Sequence, residues 1–271
     1  MALLDTRSTD DLTDEALAEL SAKFETSSAG EIVAWAVQRF HPQICLAASM
    51  TDAVLIDVAI AVEPAMEVVF IDTGYHFTET METLEKVRRR YGLNLRIMTV
   101  PHYQVPLWQS DPVNCCSAAK VFQLERALVG KVAWMSGLRR QESSSRRDAA
   151  IVSRDRRGLV KVNPLATWTD LDVQGYVADH DVPVNPLLLK GYSSIGCWPC
   201  TRPVKPGEDS RSGRWVGQAK TECGLHDEFE PHDEFEPHDE FEPHDEFEEG
   251  DVGNYGQGPI VPIIRKASGA P

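Results

Sequence analysis

The sequence predicts an α/β fold: a parallel twisted sheet flanked by helices. Two observations predict it. Short apolar runs of strand length recur at Ile44–Ala48, Val68–Ile71, Leu95–Val100 and Val132–Ser136. Between the earlier runs lie longer segments whose apolar residues repeat at helical spacing, and strand–helix alternation of this kind builds a parallel sheet covered by helices.

Each element has its own warrant. From about Thr13 to Phe40, Leu17, Leu20 and Phe24, then Ile32, Val33, Ala36, Val37 and Phe40, recur at helical spacing and predict two helices. The strand candidate Ile44–Ala48 is followed by a polar turn and a helix from about Asp52 to Val62. The second strand runs into Asp72-Thr73-Gly74, and Thr78 to Tyr91 then forms a charged amphipathic helix. Beyond Leu165 one clear helix remains, Asp170 to about His180, with Thr169 suited to cap it. Pro183 to His226 is turn-rich and carries three arginines, so a metal centre or bound ligand is the expected source of its order. The domain reading is therefore residues 1–43 as N-terminal helices packed on the core, 44–226 as the main domain and 227–271 as a disordered acidic tail.

The formal charge of −15 is local. From His226 to Glu249 four hexapeptides, three HDEFEP and one HDEFEE, carry thirteen carboxylates and neither Lys nor Arg, which leaves the rest of the chain at about −2. The body is nearly neutral, so nothing in its charge implies a nucleic-acid partner. No apolar run approaches the roughly 18 residues a membrane span needs. The acidic first twenty residues lack the pattern of a secretion signal, and a cytoplasmic location is the expectation.

In open parallel sheets, ligands sit beyond the carboxyl ends of the strands. The candidate binding loops are therefore Ser49-Met50-Thr51-Asp52, Asp72-Thr73-Gly74 and Gly137-Leu138-Arg139-Arg140. Arg139, Arg140, Arg146, Arg147, Arg211 and Arg214 supply guanidinium forks suited to phosphate or sulfate oxygens. Six cysteines in a chain expected to be cytoplasmic do not read as a disulfide framework. Cys115-Cys116 and Cys197-x-x-Cys200 make two pairs, enough for a four-thiolate site, and spacing leaves zinc and an iron–sulfur centre both open. Cys45, in the first strand, reads as a core residue. Cys223, three residues from Lys220 and from His226, has cations nearby to favour a thiolate.

Four segments together resemble a known family. They are FIDTGYHFTET (Phe70–Thr80), Cys115-Cys116 with Lys120, GLRRQES (Gly137–Ser143), and SIGCWPCTRPV through RSGRW to KTECGLH (Ser194–His226). Spanning about Ile44 to His226, the chain is similar to the APS and PAPS reductases of the PP-loop superfamily, whose fold is adenine-nucleotide α-hydrolase-like. The cysteine pairs combined with KTECGLH resemble the cluster-containing branch that mainly reduces adenylyl sulfate (APS). The resemblance implies one 4Fe–4S cluster on Cys115, Cys116, Cys197 and Cys200, borne in part by the C-terminal segment, with Lys120 between cluster and substrate. It implies Arg139 or Arg140, with Arg211, Arg214 and His226, as holders of the phosphosulfate. Ile71, Thr73, Gly137 and the loop Ser49, Thr51 and Asp52 would line the rest of the nucleotide site. Cys223 resembles the nucleophile, sulfonated by APS and then relieved of sulfite by thioredoxin or a similar dithiol. This is sulfate assimilation chemistry, toward cysteine biosynthesis, and is compatible with a homo-oligomer.

Two departures stand out. The PP-loop pattern S-G-G-x-D-[ST] is here Ser49-Met50-Thr51-Asp52-Ala53, without the glycines that bring backbone N–H groups close to a phosphate. Some 45 residues also follow CGLH, where the family's chains usually stop, and the acidic repeat within them reads as an expansion without a specific role. The alternatives are a PAPS or dual APS/PAPS reductase, a non-reductive PP-loop sulfur-modifying enzyme, and a zinc-stabilised binding module. The last two predict ATP dependence with an intact glycine loop and a colourless zinc protein, respectively.

Overall fold

The computed structural model describes residues 9, 11–101, 105–112, 115–205 and 207–216, with Cys116 and Ser117 described by backbone alone. The acidic repeat, Cys223 and His226 lie outside the described residues.

Helices α1 (Asp14–Lys23) and α2 (Ala29–Phe40) begin at capping side chains. Thr13 accepts from the Ala16 N–H, and Ser28 and Glu31 form a reciprocal capping box. Then follow β1 (Ile44–Ala48), α3 (Val54–Val62), β2 (Glu67–Asp72), α4 (Thr78–Tyr91) and β3 (Asn94–Thr99). Gly92, at φ 59°, ends α4 in the left-handed conformation that glycine adopts at least cost. A short helix α5 (Leu107–Ser110) precedes a π-helical turn at Cys115–Ala119, which runs directly into α6 (Lys120–Leu128). Strands β4 (Ala133–Ser136), β5 (Val152–Arg154) and β6 (Val160–Val162) and helix α7 (Asp170–His180) follow. Thr169 caps α7 through a box with Asp172, as its sequence position predicts.

The sheet order is β3-β2-β1-β4-β6-β5. All pairs are parallel except β5 with β6, so the expected parallel sheet carries one antiparallel edge. These last two strands, three residues each, are absent from the sequence-based expectation. Side chains alternate between the two faces, as a pleated strand requires. Ile44 and Leu46, Val68 and Phe70, and Ala133 and Met135 enter one core with α1, α2 and α3; Cys45, Val69 and Trp134 enter the other with α6. Both faces are covered, which is why the strands read as nearly continuous apolar runs. Among the described residues no helix is long and apolar enough to cross a membrane.

After β1 the chain moves toward β2 and β3; β4 opens the other half of the sheet. The crevice between the carboxyl ends of β1 and β4 is therefore the topological switch point.

Candidate active site

A cleft of about 790 Å³ opens at that switch point. Ser49, Thr51 and Asp52 after β1, Ile71 on β2, and Gly137 and Arg139 after β4 line it. Lys120, Cys197, Cys200, Arg211 and Arg214 complete the cationic and thiol-bearing side. These positions, far apart in sequence, are brought together in one cleft.

Arg139 is held by carboxylates. Its Nη1 donates to Asp170 Oδ1 at 2.8 Å, and Nη2 lies 3.8 Å from Glu142 Oε1. Glu142 also accepts from the Arg139 N–H at 3.3 Å and pairs with the buried Arg146. Glu142 thus organises two guanidiniums of one wall. Its backbone carbonyl accepts from Ser210 Oγ at 2.9 Å, tying this loop to the RSGRW segment.

Arg211 and Arg214 converge on one hydroxyl: their Nη1 atoms reach Ser194 Oγ at 3.5 and 3.2 Å. Both stack over the buried Trp215, at 5.4 and 4.4 Å from the ring centroid. Arg214 also lies directly on Gly196, where a Cβ would come within 2.2 Å of Nη2. A side chain at 196 would therefore have to push the Arg214 guanidinium aside.

The Cys197–Cys200 segment is one 3₁₀ turn, closed by the Cys200 N–H donating to Cys197 O at 3.0 Å. It is docked on the loop after β2. The Trp198 N–H donates to Tyr75 O at 2.9 Å, and Cys197 Sγ lies 3.1 Å from Thr73 Oγ1. Thr73 is accordingly buried against the cysteine turn and is not among the residues that line the cleft. His76 does line it, and its Nε2 lies 2.9 Å from Ile71 O. A carbonyl can only accept, so Nε2 carries the proton. Burial, above all, then lowers the His76 pKa and favours the neutral ring. Burial likewise pushes the Asp52 carboxyl up, against the opposing hydrogen bond from the Val54 N–H.

Arg140 requires a correction. Its guanidinium points away from the cleft, donating to both carboxylate oxygens of Glu25 at 2.9 and 2.7 Å, with Nε on Ala149 O at 2.8 Å. It joins the N-terminal helices to the sheet instead. His76, Glu142 and Ser194 were missed as site residues by sequence reasoning, although each stands inside or beside a segment that carries the resemblance. Arg146 was noted only as one guanidinium among several.

Of the thiol-bearing turns, Cys197–Cys200 lines this cleft. Cys115 opens the π turn that places Lys120 in the wall, and Trp108, just upstream, packs edge-on against Trp198 at 5.4 Å between centroids. Soft thiolates beside a lysine are donors of the kind an iron–sulfur centre takes. Among the described residues no three His, Cys, Asp or Glu side chains are gathered as a metal site; the Cys116 side chain is outside that description.

Residues 42–203 match the phosphoadenosine phosphosulfate reductase domain. The chain belongs to that family. It is 44% identical over 235 residues to an adenosine 5'-phosphosulfate reductase of Streptomyces coelicolor, covering 83% of this chain and 99% of that one. To the enzyme of the same name from Mycobacteroides abscessus it is 44% identical over 222 residues, 78% of this chain and 93% of the relative. Among solved structures, a phosphoadenylyl-sulfate reductase of Candida auris in a phosphate complex superposes with a TM-score of 0.62 at 28% identity. That match covers 70% of this chain and 98% of the other.

Proposed function

We propose that the chain reduces APS to sulfite and AMP through an S-sulfonated Cys223, with thioredoxin or a similar dithiol as reductant. The observation that carries this reading is the convergence of Lys120, Arg139, Arg211 and Arg214 on one cleft with Cys197 and Cys200. Fixed cations in a recessed site suit a phosphosulfate whose charge shifts onto a departing phosphate. The nucleotide end faces Ser49, Thr51, Asp52, Ile71 and Gly137, and His226 adds a further donor from the CGLH segment.

The Cys223 thiolate attacks the sulfate sulfur. An S–S bond forms, the bridging S–O bond breaks, and AMP leaves with the electron pair on its phosphate oxygen. The cations of the wall hold that phosphate as its charge grows. A dithiol thiolate then attacks Cys223 Sγ and expels sulfite; its second thiol resolves the mixed disulfide and regenerates the Cys223 thiolate. Two electrons pass from dithiol to sulfate sulfur, and the reductant ends as a disulfide.

Cys115, Cys116, Cys197 and Cys200 would hold one 4Fe–4S cluster, whose chemistry when bound is to organise charge beside the sulfate without a net redox step. Thr73 and Trp198 keep the Cys197–Cys200 turn in place, and Lys120 faces the substrate from the helix that the cysteine pair begins.

The test is intact-protein mass spectrometry after anaerobic incubation with APS and no thioredoxin. Wild type gains one SO3 group, thioredoxin releases it as sulfite, and Cys223→Ser gains nothing. No adduct from APS on a protein carrying matched iron and acid-labile sulfide would sink the APS reading, and an adduct from PAPS alone would replace it. Zinc in place of iron would remove the cluster from the proposal.

A further inference from the structure

The loop after β1 makes its turn without glycine. Met50 has φ 61°, in the left-handed region that side chains other than glycine rarely adopt, and its side chain is fully buried. Something must hold this residue there.

The holder is in the segment after α7. The Ala53 N–H donates to Pro183 O at 3.1 Å, Asp52 bridges Val184, and the Asn185 N–H donates to Thr51 O at 3.0 Å. The loop is thus laddered, antiparallel, onto residues 183–185. Asn185 adds its side chain to the backbone pairing. Nδ2 donates to Met50 O at 3.3 Å and to Thr80 Oγ1 at 3.0 Å, while Oδ1 accepts from the Leu187 N–H at 3.1 Å. Asn185 is 0% exposed, so every one of these bonds is shielded from competing water.

Its partners matter more than its burial. Thr51, Thr80 and Leu188 line the cleft, and Asn185 does not. Thr80 stands in the first turn of α4, and the Leu188 N–H donates to Asn185 O at 3.1 Å. One amide therefore fixes three walls of the cleft relative to each other: the loop after β1, the start of α4 and the turn at Pro186–Lys190.

We propose that Asn185 is a positioning residue for nucleotide binding, its buried amide holding Met50 in the left-handed turn that presents Ser49, Thr51 and Asp52 to the ligand. It substitutes, through hydrogen bonds, for the conformational freedom that glycine would bring to position 50. This rests on the proposed nucleotide function of the cleft.

The experiment is a double-mutant cycle on the full chain with Asn185→Ala and Met50→Gly, read by AMP affinity, by the KM and kcat for APS, and by amide hydrogen exchange. Losing one or two buried hydrogen bonds corresponds to about a tenfold change. Asn185→Ala is expected to raise the AMP Kd and the KM about tenfold while kcat stays within about threefold. Adding Met50→Gly should bring both back toward wild type, because glycine takes the turn unaided, even though the lost methionine side chain lowers stability further. A merely structural Asn185 would give the opposite: additive loss of stability and no recovery of affinity, and that result overturns the proposal. Where Asn185→Ala does not fold, Asn185→Ser keeps a short acceptor for the Leu187 N–H and serves in its place. Should wild type bind neither AMP nor APS, the functional reading fails, and exchange decides the rest. The amides of residues 51–53 must exchange faster in the Asn185 variant than in wild type; unchanged exchange refutes the positioning role.

Discussion

Gly196→Ala is expected to damage substrate handling far more than folding. A Cβ at 196 would sit 2.2 Å from Arg214 Nη2, 2.5 Å from Cζ and 3.0 Å from Nε. Ordinary contact needs about 3.5 Å, so the guanidinium must retreat by roughly 1 Å or more. Being the far end of a flexible side chain, it can do so without moving backbone. It gives up the 3.2 Å bond to Ser194 Oγ and part of its stacking on Trp215. Rehydration of the displaced cation offsets most of that loss, leaving a folding cost of about 1 kcal/mol and a Tm lower by about 2–4 °C. The anion, in contrast, loses a charge-assisted hydrogen bond of about 1.5–3 kcal/mol, or about 10- to 150-fold in kcat/KM. Steady-state sulfite release and a thermal melt measure the two effects separately. Arg214→Ala supplies the control: both substitutions remove the same interaction, so the double variant should match Arg214→Ala alone within about twofold. A variant that melts early with kcat/KM within threefold of wild type would refute the reasoning, as would penalties that multiply.

Arg139→Ala should raise the KM for APS by about tenfold, whereas Arg140→Ala should leave KM unchanged and lower stability by about 1 kcal/mol. Glu25→Gln should reproduce the Arg140 effect in the melt, since the two side chains form one pair. Cys45 gives a pH signature. Burial pushes its thiol from 9.0 up to about 12, so the folded state keeps its proton after the unfolded chain has lost it. The stability it contributes is complete below pH 9 and declines as pH rises from about 9 to 12. Cys45→Ala should therefore flatten the alkaline loss of stability measured by urea unfolding between pH 8 and 10.5.

Much of the frame was legible because its signals are local. The runs that became β1, β2 and β4 are largely apolar and buried on both faces, and Thr169 with Asp172 marks the start of α7 as two side chains three residues apart can. Strands β5 and β6 carry no such signal. Three residues hold no period, and each strand exists because the other, and β4 beyond it, offers backbone partners. The adjacent Cys115-Cys116 pair opens a π turn that leads into α6, a local arrangement that its spacing alone did not specify.

What the sequence determined alone is the chemistry at hand: two cysteine pairs, a lysine after the first, and arginines around the second. It also determined the alternation that sends those loops to one edge of a sheet. The choice between Arg139 and Arg140 was left to the tertiary structure. The two are adjacent and chemically equal; what separates them is Glu25, 115 residues away, which captures one while Asp170 and Glu142 keep the other in the wall. Asn185 is a plain polar residue in sequence, and only its burial beneath Met50 makes it a support for the loop. Composition and local period act over a few residues, but an ion pair or a buried amide takes its meaning from whatever the fold brings within hydrogen-bonding distance, and that partner is written elsewhere in the chain.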